Sequence, residues 1–334
     1  MTEQHSWRGL LKMIINDTHE RQRIASELGL NPITLVRWTT QDIDPRPQNL
    51  RRLLDVVPHY RDQLLELIRD EEGFEEFSNA GLDDSSKDIP AFFCTSVFAA
   101  RAATNDSMRY RTTCNMVLQQ ALGQLDPDRT GMSITVVRCM LPRDGDTKIR
   151  SLRESLGQGT PPWQSDLEQQ AMFLGAESLA GYVVASCRPF VTQNVDKDQT
   201  HVPLAKARHE RSSAIYPILY AGRIAGCLIV SSAQYNYFLS QSRLNLIKNY
   251  TDLIAVAFEP EEFYNPEQIE LWPLPDQEIQ KKHFANFRQR VAAVMLEGAR
   301  NKKSINTINA EKVVWRQLED ELIEVKLNEF SSQL

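Results

Sequence analysis

Ile24 and Leu28 lie four residues apart and Leu35 and Trp38 three apart, so each pair falls on one face of a short helix. Between the pairs, Gly29 suits a left-handed turn and Asn31 an N-cap. Pro32 falls at a first helical position, where its missing N–H costs nothing. The stretch "IASELGLNPITLVRWTTQ" is therefore predicted to run helix, tight turn, helix. Upstream, Leu10, Leu11, Ile14 and Ile15 offer another apolar edge, and downstream Leu50, Leu53, Leu54 and Val57 keep the i, i+3, i+4, i+7 spacing. Four or five short helices around one small core follow from this pattern.

The period then changes. "SITVVRCML" alternates, with Ile134, Val136 and Arg138 on one side and Thr135, Val137 and Cys139 on the other, which predicts a strand. "SSAIYPILYAGRIAGCLIVSS" holds two apolar runs joined by a short turn containing Gly222, a hairpin signal. Both faces of that hairpin are apolar, so it is expected to be covered on both sides. A helix follows on Leu244, Ile247, Thr251, Ile254 and Phe258, and another precedes the first strand in "RYRTTCNMVLQQALGQL". The segment "TKIRSLRESLGQGTPPWQSDLEQQAMFLGAESLAGY" reads as a Gly- and Pro-rich loop ending at Trp163, then a helix over the sheet.

Near the C-terminus, Phe284, Phe287, Val291, Val294 and Met295 mark one apolar stripe and Val314, Leu318, Leu322 and Val325 a second. These predict a helical hairpin that turns near residues 301–309. Its stripes need a partner: the sheet domain, a second copy of the hairpin, or another protein. The acid-, Gly- and Ser-rich run "RDEEGFEEFSNAGLDDSSKD", residues 69–88, reads as a linker.

Composition narrows the classes. A chain of 334 residues with a net charge of -6 allows about two domains. No apolar run approaches the roughly 20 residues of a membrane span, and the N-terminus has no signal-peptide core, so no membrane partner is expected. Five cysteines, an odd number without CxxC spacing, favour a reduced, cytoplasmic setting over a disulfide scaffold or a zinc finger. The histidines are scattered, and there is no P-loop, HExxH or dinucleotide fingerprint. "GAESLAG" lacks the G-x-S-x-G spacing of a nucleophile elbow. No catalytic site, metal or cofactor is expected from these residues, and no enzymatic activity.

"LGLNPITLVRW" followed by "DPRPQNLRRLL" resembles the Cro/repressor-like helix-turn-helix family. The resemblance implies that the second helix enters the major groove of double-stranded DNA. Asn31, Pro32, Ile33, Thr34 and Arg37 would then face the bases, and Arg46, Arg51 and Arg52 the phosphates, with Arg37 suited to guanine. One departure is Thr39 after Trp38, where the family often has Glu. Residues 1–58 hold eight Lys/Arg against seven Asp/Glu, a balance short of the strongly basic surface expected of tight DNA binding. A protein-docking role for the same helices therefore stands beside the DNA reading.

"ERSSAIYPILYAGRIAGCLIVSSAQYNYFLSQSRLNLIKNYTDLIAVAF" and "AGYVVASCRPFVTQNV" resemble the ending and the central segment of the GAF sensor family, over roughly residues 107–260. The resemblance implies a pocket between sheet and helices. Arg150, Arg153, Trp163, Phe173, Glu177, Ser178, Tyr182 and Tyr216 are the candidates for pairing with, stacking on or hydrogen bonding to an anionic or aromatic effector of unknown identity. Each also has a structural reading, as core aromatic, loop anchor or helix-face charge. Neither a cyclic-nucleotide signature nor a bilin attachment context is evident. Some GAF-fold proteins are thiol-based reductases, and Cys139 and Cys227 both fall on strands, which keeps that activity as an alternative.

The expected fold class is multidomain α+β: an all-α helix-turn-helix bundle over 1–68, an acidic linker over 69–90, and a GAF-type antiparallel sheet flanked by helices over 91–262. A C-terminal helical hairpin for dimerisation or docking follows over 263–334. The expected function is a ligand-responsive, homodimeric transcription regulator, with a docking adaptor as the second reading.

Overall fold

The computed structural model describes residues 6–40, 45, 47–57, 60, 63–64, 67–68, 88–143, 145–167, 172–197, 209–301 and 305–331. The acidic run at 69–87 lies outside them, as do Arg46 and the side chain of Arg51. The chain divides into two compact units: residues 1–88 with 239–244, and residues 89–238 with 245–334.

The first unit contains α1 (Trp7–Ile14), α2 (Thr18–Leu28), α3 (Pro32–Thr39) and α4 (Pro47–Val56). Local chemistry sets several of these boundaries. Ser6 caps α1 by accepting from the Gly9 amide, Asp17 caps α2 by accepting from His19, and Gly29 ends α2 at φ 67°. Asn31 Oδ1 accepts the Ile33 amide at 3.0 Å, with Pro32 opening α3. Trp7, Leu11, Ile24, Leu28, Leu35, Trp38, Leu50 and Leu53 fill the core between the helices. Arg8, itself buried, donates to the Trp38 carbonyl and so ties α1 to the end of α3.

The second unit is built on a six-stranded antiparallel sheet. Helices α5 (Ala91–Ala103) and α6 (Asp106–Leu125) lead into β1 (Met132–Cys139), β2 (Leu152–Gly159) and β3 (Phe173–Leu174). Then come α7 (Leu179–Ser186), β4 (Phe190–Thr192), β5 (Ser212–Tyr220), β6 (Arg223–Ser232) and α8 (Gln241–Ala255). The strand order is β3-β2-β1-β6-β5-β4. The hairpin expected around Gly222 is β5–β6: Ala221 (φ 49°) and Gly222 (φ 77°) both turn left-handed, as a two-residue type I′ turn requires. One face of the sheet carries α7, whose Ala180, Val183 and Val184 join Val137, Cys139, Ile215 and Cys227 in a single cluster. The other face carries α6, with the Arg138 guanidinium 4.5 Å from the Tyr110 ring.

Two expectations are corrected. Residues 152–159, read as loop, form strand β2, paired with β1 on one side and β3 on the other. No helix runs from Trp163 over the sheet among the described residues; Phe173–Leu174 is an edge strand and the helix begins at Leu179. The first arm of the C-terminal hairpin is two helices, α9 (Gln277–Phe284) and α10 (Phe287–Arg300), parted at Ala285 and Asn286. The second arm is α11 (Thr307–Ser331). Of the three partners left open for its apolar stripes, the sheet unit supplies one, because Val314, Leu318 and Leu322 share a cluster with Met140, Phe173 and Leu274.

Candidate functional site

On the α7 side of the sheet, strand alternation and register bring a polar patch together. Val137 stands opposite Glu154 on β2 and Cys227 on β6, while Ser213 and Ser231 oppose each other on β5 and β6. Ser231 Oγ donates to Glu210 Oε1 at 2.7 Å, and the Ser213 and Ser231 hydroxyls are 3.5 Å apart. Burial, reinforced by the Glu210 charge, pushes the Glu154 carboxyl up to about 7, although the Met172 amide holds it partly back. This carboxyl therefore titrates near neutrality and can donate or accept a hydrogen bond. The edge-on Trp163–His209 contact, with ring centroids 6.0 Å apart, belongs to the same unit. Residues 168–171 and 198–208, next to Leu167, Met172, Lys197 and His209 in the chain, lie outside the described residues.

The thiols near this patch are buried. Burial raises Cys139 to about 12 and Cys227 well above the ordinary thiol value, with each also raised by another thiol nearby. A thiol held protonated in an apolar cluster is a poor nucleophile.

The sequence-derived ligand candidates do not converge. Arg150 pairs with Glu319 at 3.0 Å and Asp320 at 2.8 Å. Arg153 lies over the Trp315 ring at 4.3 Å, on the face away from α7. Phe173 is core, within 6.0 Å of the Phe284 ring and 5.7 Å of Trp315. Glu177 accepts the Gly175 and Leu274 amides, both at 2.9 Å, and so fastens a turn. Ser178 caps α7 by accepting from Gly181. Tyr182 is exposed, edge-on to Phe190. Tyr216, half-buried on β5 opposite Leu228, faces away from Ser213 and Ile215. The residues missed from sequence, Glu154, Glu210, Ser213 and Ser231, carry no motif; for Glu154, Ser213 and Ser231 the only sequence signal is a polar side chain at an inward position of a strand, and Glu210 lies just before β5.

In the first unit, Leu35 and Trp38 are buried while Ile33, Val36 and Arg37 are exposed and Thr34 is half-buried. Asn31 and Arg52 are also exposed, and Pro32 is half-buried. The outward face of α3 is thus mixed, with one guanidinium beside two aliphatic side chains.

Residues 110–259 match the family described as GAF domain. Comparison with curated proteins gives no match. Among solved structures, the GAF domain of an Acinetobacter phosphoenolpyruvate-protein phosphotransferase is 13% identical, covering 51% of this chain and 93% of that one, with a TM-score of 0.35. The type II free methionine-R-sulfoxide reductase of Thermoplasma acidophilum is 14% identical, covering 48% and 97%, with a TM-score of 0.33. The Staphylococcus aureus enzyme abbreviated fRMsr, complexed with its substrate, is 13% identical over 47% and 97%, with a TM-score of 0.31. No helix among the described residues is long and apolar enough to cross a membrane. Residues 110–259 are a GAF domain.

Proposed function

We propose that the chain is a DNA-binding transcription regulator in which α2, the turn at Gly29 and α3 act as a helix-turn-helix and the GAF domain reads a small-molecule effector. The observation that carries this reading is the division of α3: Leu35 and Trp38 anchor it inward, and Ile33, Thr34 and Arg37 are left on its outer side. A guanidinium there can bridge the O6 and N7 acceptors of guanine, and the Ile33 side chain can meet a thymine methyl. A homodimer would present two such helices to half-sites about one DNA turn apart, and effector occupancy would alter their placement. The test is footprinting of genomic fragments at several salt concentrations with wild type and Arg37→Ala. Protection that weakens with salt, and that Arg37→Ala loses at specific bases, supports the reading. Absence of sequence-selective protection by the wild type defeats it.

A second reading has its own observation. Ile33 is 63% and Met13 58% exposed, and Val36 adds to the apolar outer surface, which suits a protein partner as well as a groove. Under this docking reading, Ile33→Ser abolishes capture of the partner while DNA binding is absent in every variant.

A further inference from the structure

A cleft lies on the sheet face opposite α7, lined by strands β1 and β2, by α6 and by the C-terminal helices, with a volume of about 610 Å³. Its charged lining is four arginines, Arg111, Arg138, Arg153 and Arg288, and one carboxylate, Glu311. The arrangement is costly by itself. Arg138 and Arg153 are direct cross-strand partners on β1 and β2, and like charges in that position oppose pairing. Arg138 is answered by Glu262. Arg153 is held flat, its guanidinium 4.3 Å from the Trp315 ring centre, and it also donates to the Glu154 carbonyl at 3.3 Å. Arg111 on α6 and Arg288 on α10 bring further guanidiniums to the same space from two other elements. The wall contributed by α9 to α11 is aromatic: Phe287 and Trp315 have ring centroids 4.3 Å apart, with Phe284 5.8 Å from Trp315.

From this juxtaposition we infer that the cleft is a binding site for an organic anion, a carboxylate or phosphate borne on a flat ring. The planar forks of arginine match the oxygens of either group in pairs. An inorganic ion alone would leave most of the space empty, since a volume of this order belongs to a small organic ligand, and the aromatic wall supplies the surface on which a ring lies. The occupant would touch both the sheet and the C-terminal hairpin, so its binding holds these two parts together. The site is separate from the Glu154 patch, and the inference does not depend on DNA binding.

Titration calorimetry on the full chain tests it, with 2-hydroxybenzoate and phenyl phosphate as alternative probes and inorganic phosphate as the control. At least one ring-bearing probe should bind with a Kd below about 1 mM, and phosphate at least about tenfold more weakly. Arg153→Gln and Arg288→Gln should each weaken that probe about tenfold or more, whereas Glu154→Gln on the opposite face should not. Arg288 is exposed, so its variant reports on the site even if Arg153→Gln fails to fold by circular dichroism. Binding by neither probe overturns the inference, as does phosphate binding as tightly as the ring-bearing probe. So does wild-type affinity in Arg288→Gln, or loss confined to Glu154→Gln. Which probe binds tells a carboxylate site from a phosphate site.

Discussion

The C-terminal helix α11 is fastened to the sheet unit by a buried ionic latch, and removing one side of it has a calculable effect. Glu319 keeps 2% of its side chain exposed and Arg150 11%, and they meet at 3.0 Å, while Ser151 Oγ donates to the other Glu319 oxygen at 2.6 Å. Burial raises the Glu319 pKa, with Ser151 and Arg150 working against it. Arg150→Met therefore leaves a carboxylate without its cation, a change that costs about 3 to 5 kcal/mol in buried pairs. Asp320, the second partner of Arg150, is 45% exposed and recovers solvation, so it adds little. Against this loss stand Val314, Leu318 and Leu322, each fully buried, and at roughly 1.5 to 3 kcal/mol apiece their burial exceeds the latch. The single variant should therefore unfold at lower urea with α11 still docked in its native state. Replacing both partners, Arg150→Met with Glu319→Leu, should recover most of the loss, because the uncompensated charge is gone. Urea unfolding followed by far-ultraviolet circular dichroism and by tryptophan fluorescence measures both effects on the transition of the second unit. If the double variant is destabilised by the sum of the two singles, the coupling is absent and the latch argument is wrong.

Glu154 gives stability a pH dependence of definite sign. Its folded value of about 7 lies above the ordinary 4.5, so between these the native state holds a proton that the unfolded chain has released. The contribution is complete below about 4.5 and is lost as pH rises through 7, on the order of 3 to 4 kcal/mol at about 1.4 kcal/mol per unit. Unfolding midpoints from pH 5 to 8 should fall more steeply for wild type than for Glu154→Gln; parallel profiles refute the assignment. Among the cysteines, Cys94 and Cys187 are partly exposed while Cys114, Cys139 and Cys227 are buried. Iodoacetamide at neutral pH followed by peptide mass mapping should label the first two and spare the other three, and rapid labelling of Cys227 would revive the thiol-reductase reading.

Local signals were sufficient where one residue type dictates a backbone state. Gly29 ending α2, Asn31 capping α3 and Gly222 turning the hairpin all belong to this class, because left-handed φ and an orphan amide each admit few solutions. The inward anchoring of Leu35 and Trp38 follows equally from helical spacing. Strand β2 was not legible: "LRESLGQG" has two glycines and weak apolar alternation, and it is a strand because β1 and β3 satisfy its backbone on both sides. Those glycines answer crowding rather than turning, since a Cβ at Gly157 would meet Thr135 Oγ1 at 2.9 Å and one at Gly159 the Trp163 Cβ at 2.8 Å.

By itself the sequence determined the end of α2 at Gly29, the start of α3 at Asn31, the β5–β6 hairpin and the likeness of residues 107–260 to a GAF domain. These depend on neighbours only a few residues apart or on a pattern spread along the chain. Only the tertiary structure decided that Glu154 and Glu210 share a face with two serines, that Arg138 opposes Arg153, and that the C-terminal stripes pack on the sheet unit. The placements of Glu154, the two serines and the two arginines follow from strand register, including the irregularity between Val136 and Val137, and a shift of one residue would send each of these side chains to the other face.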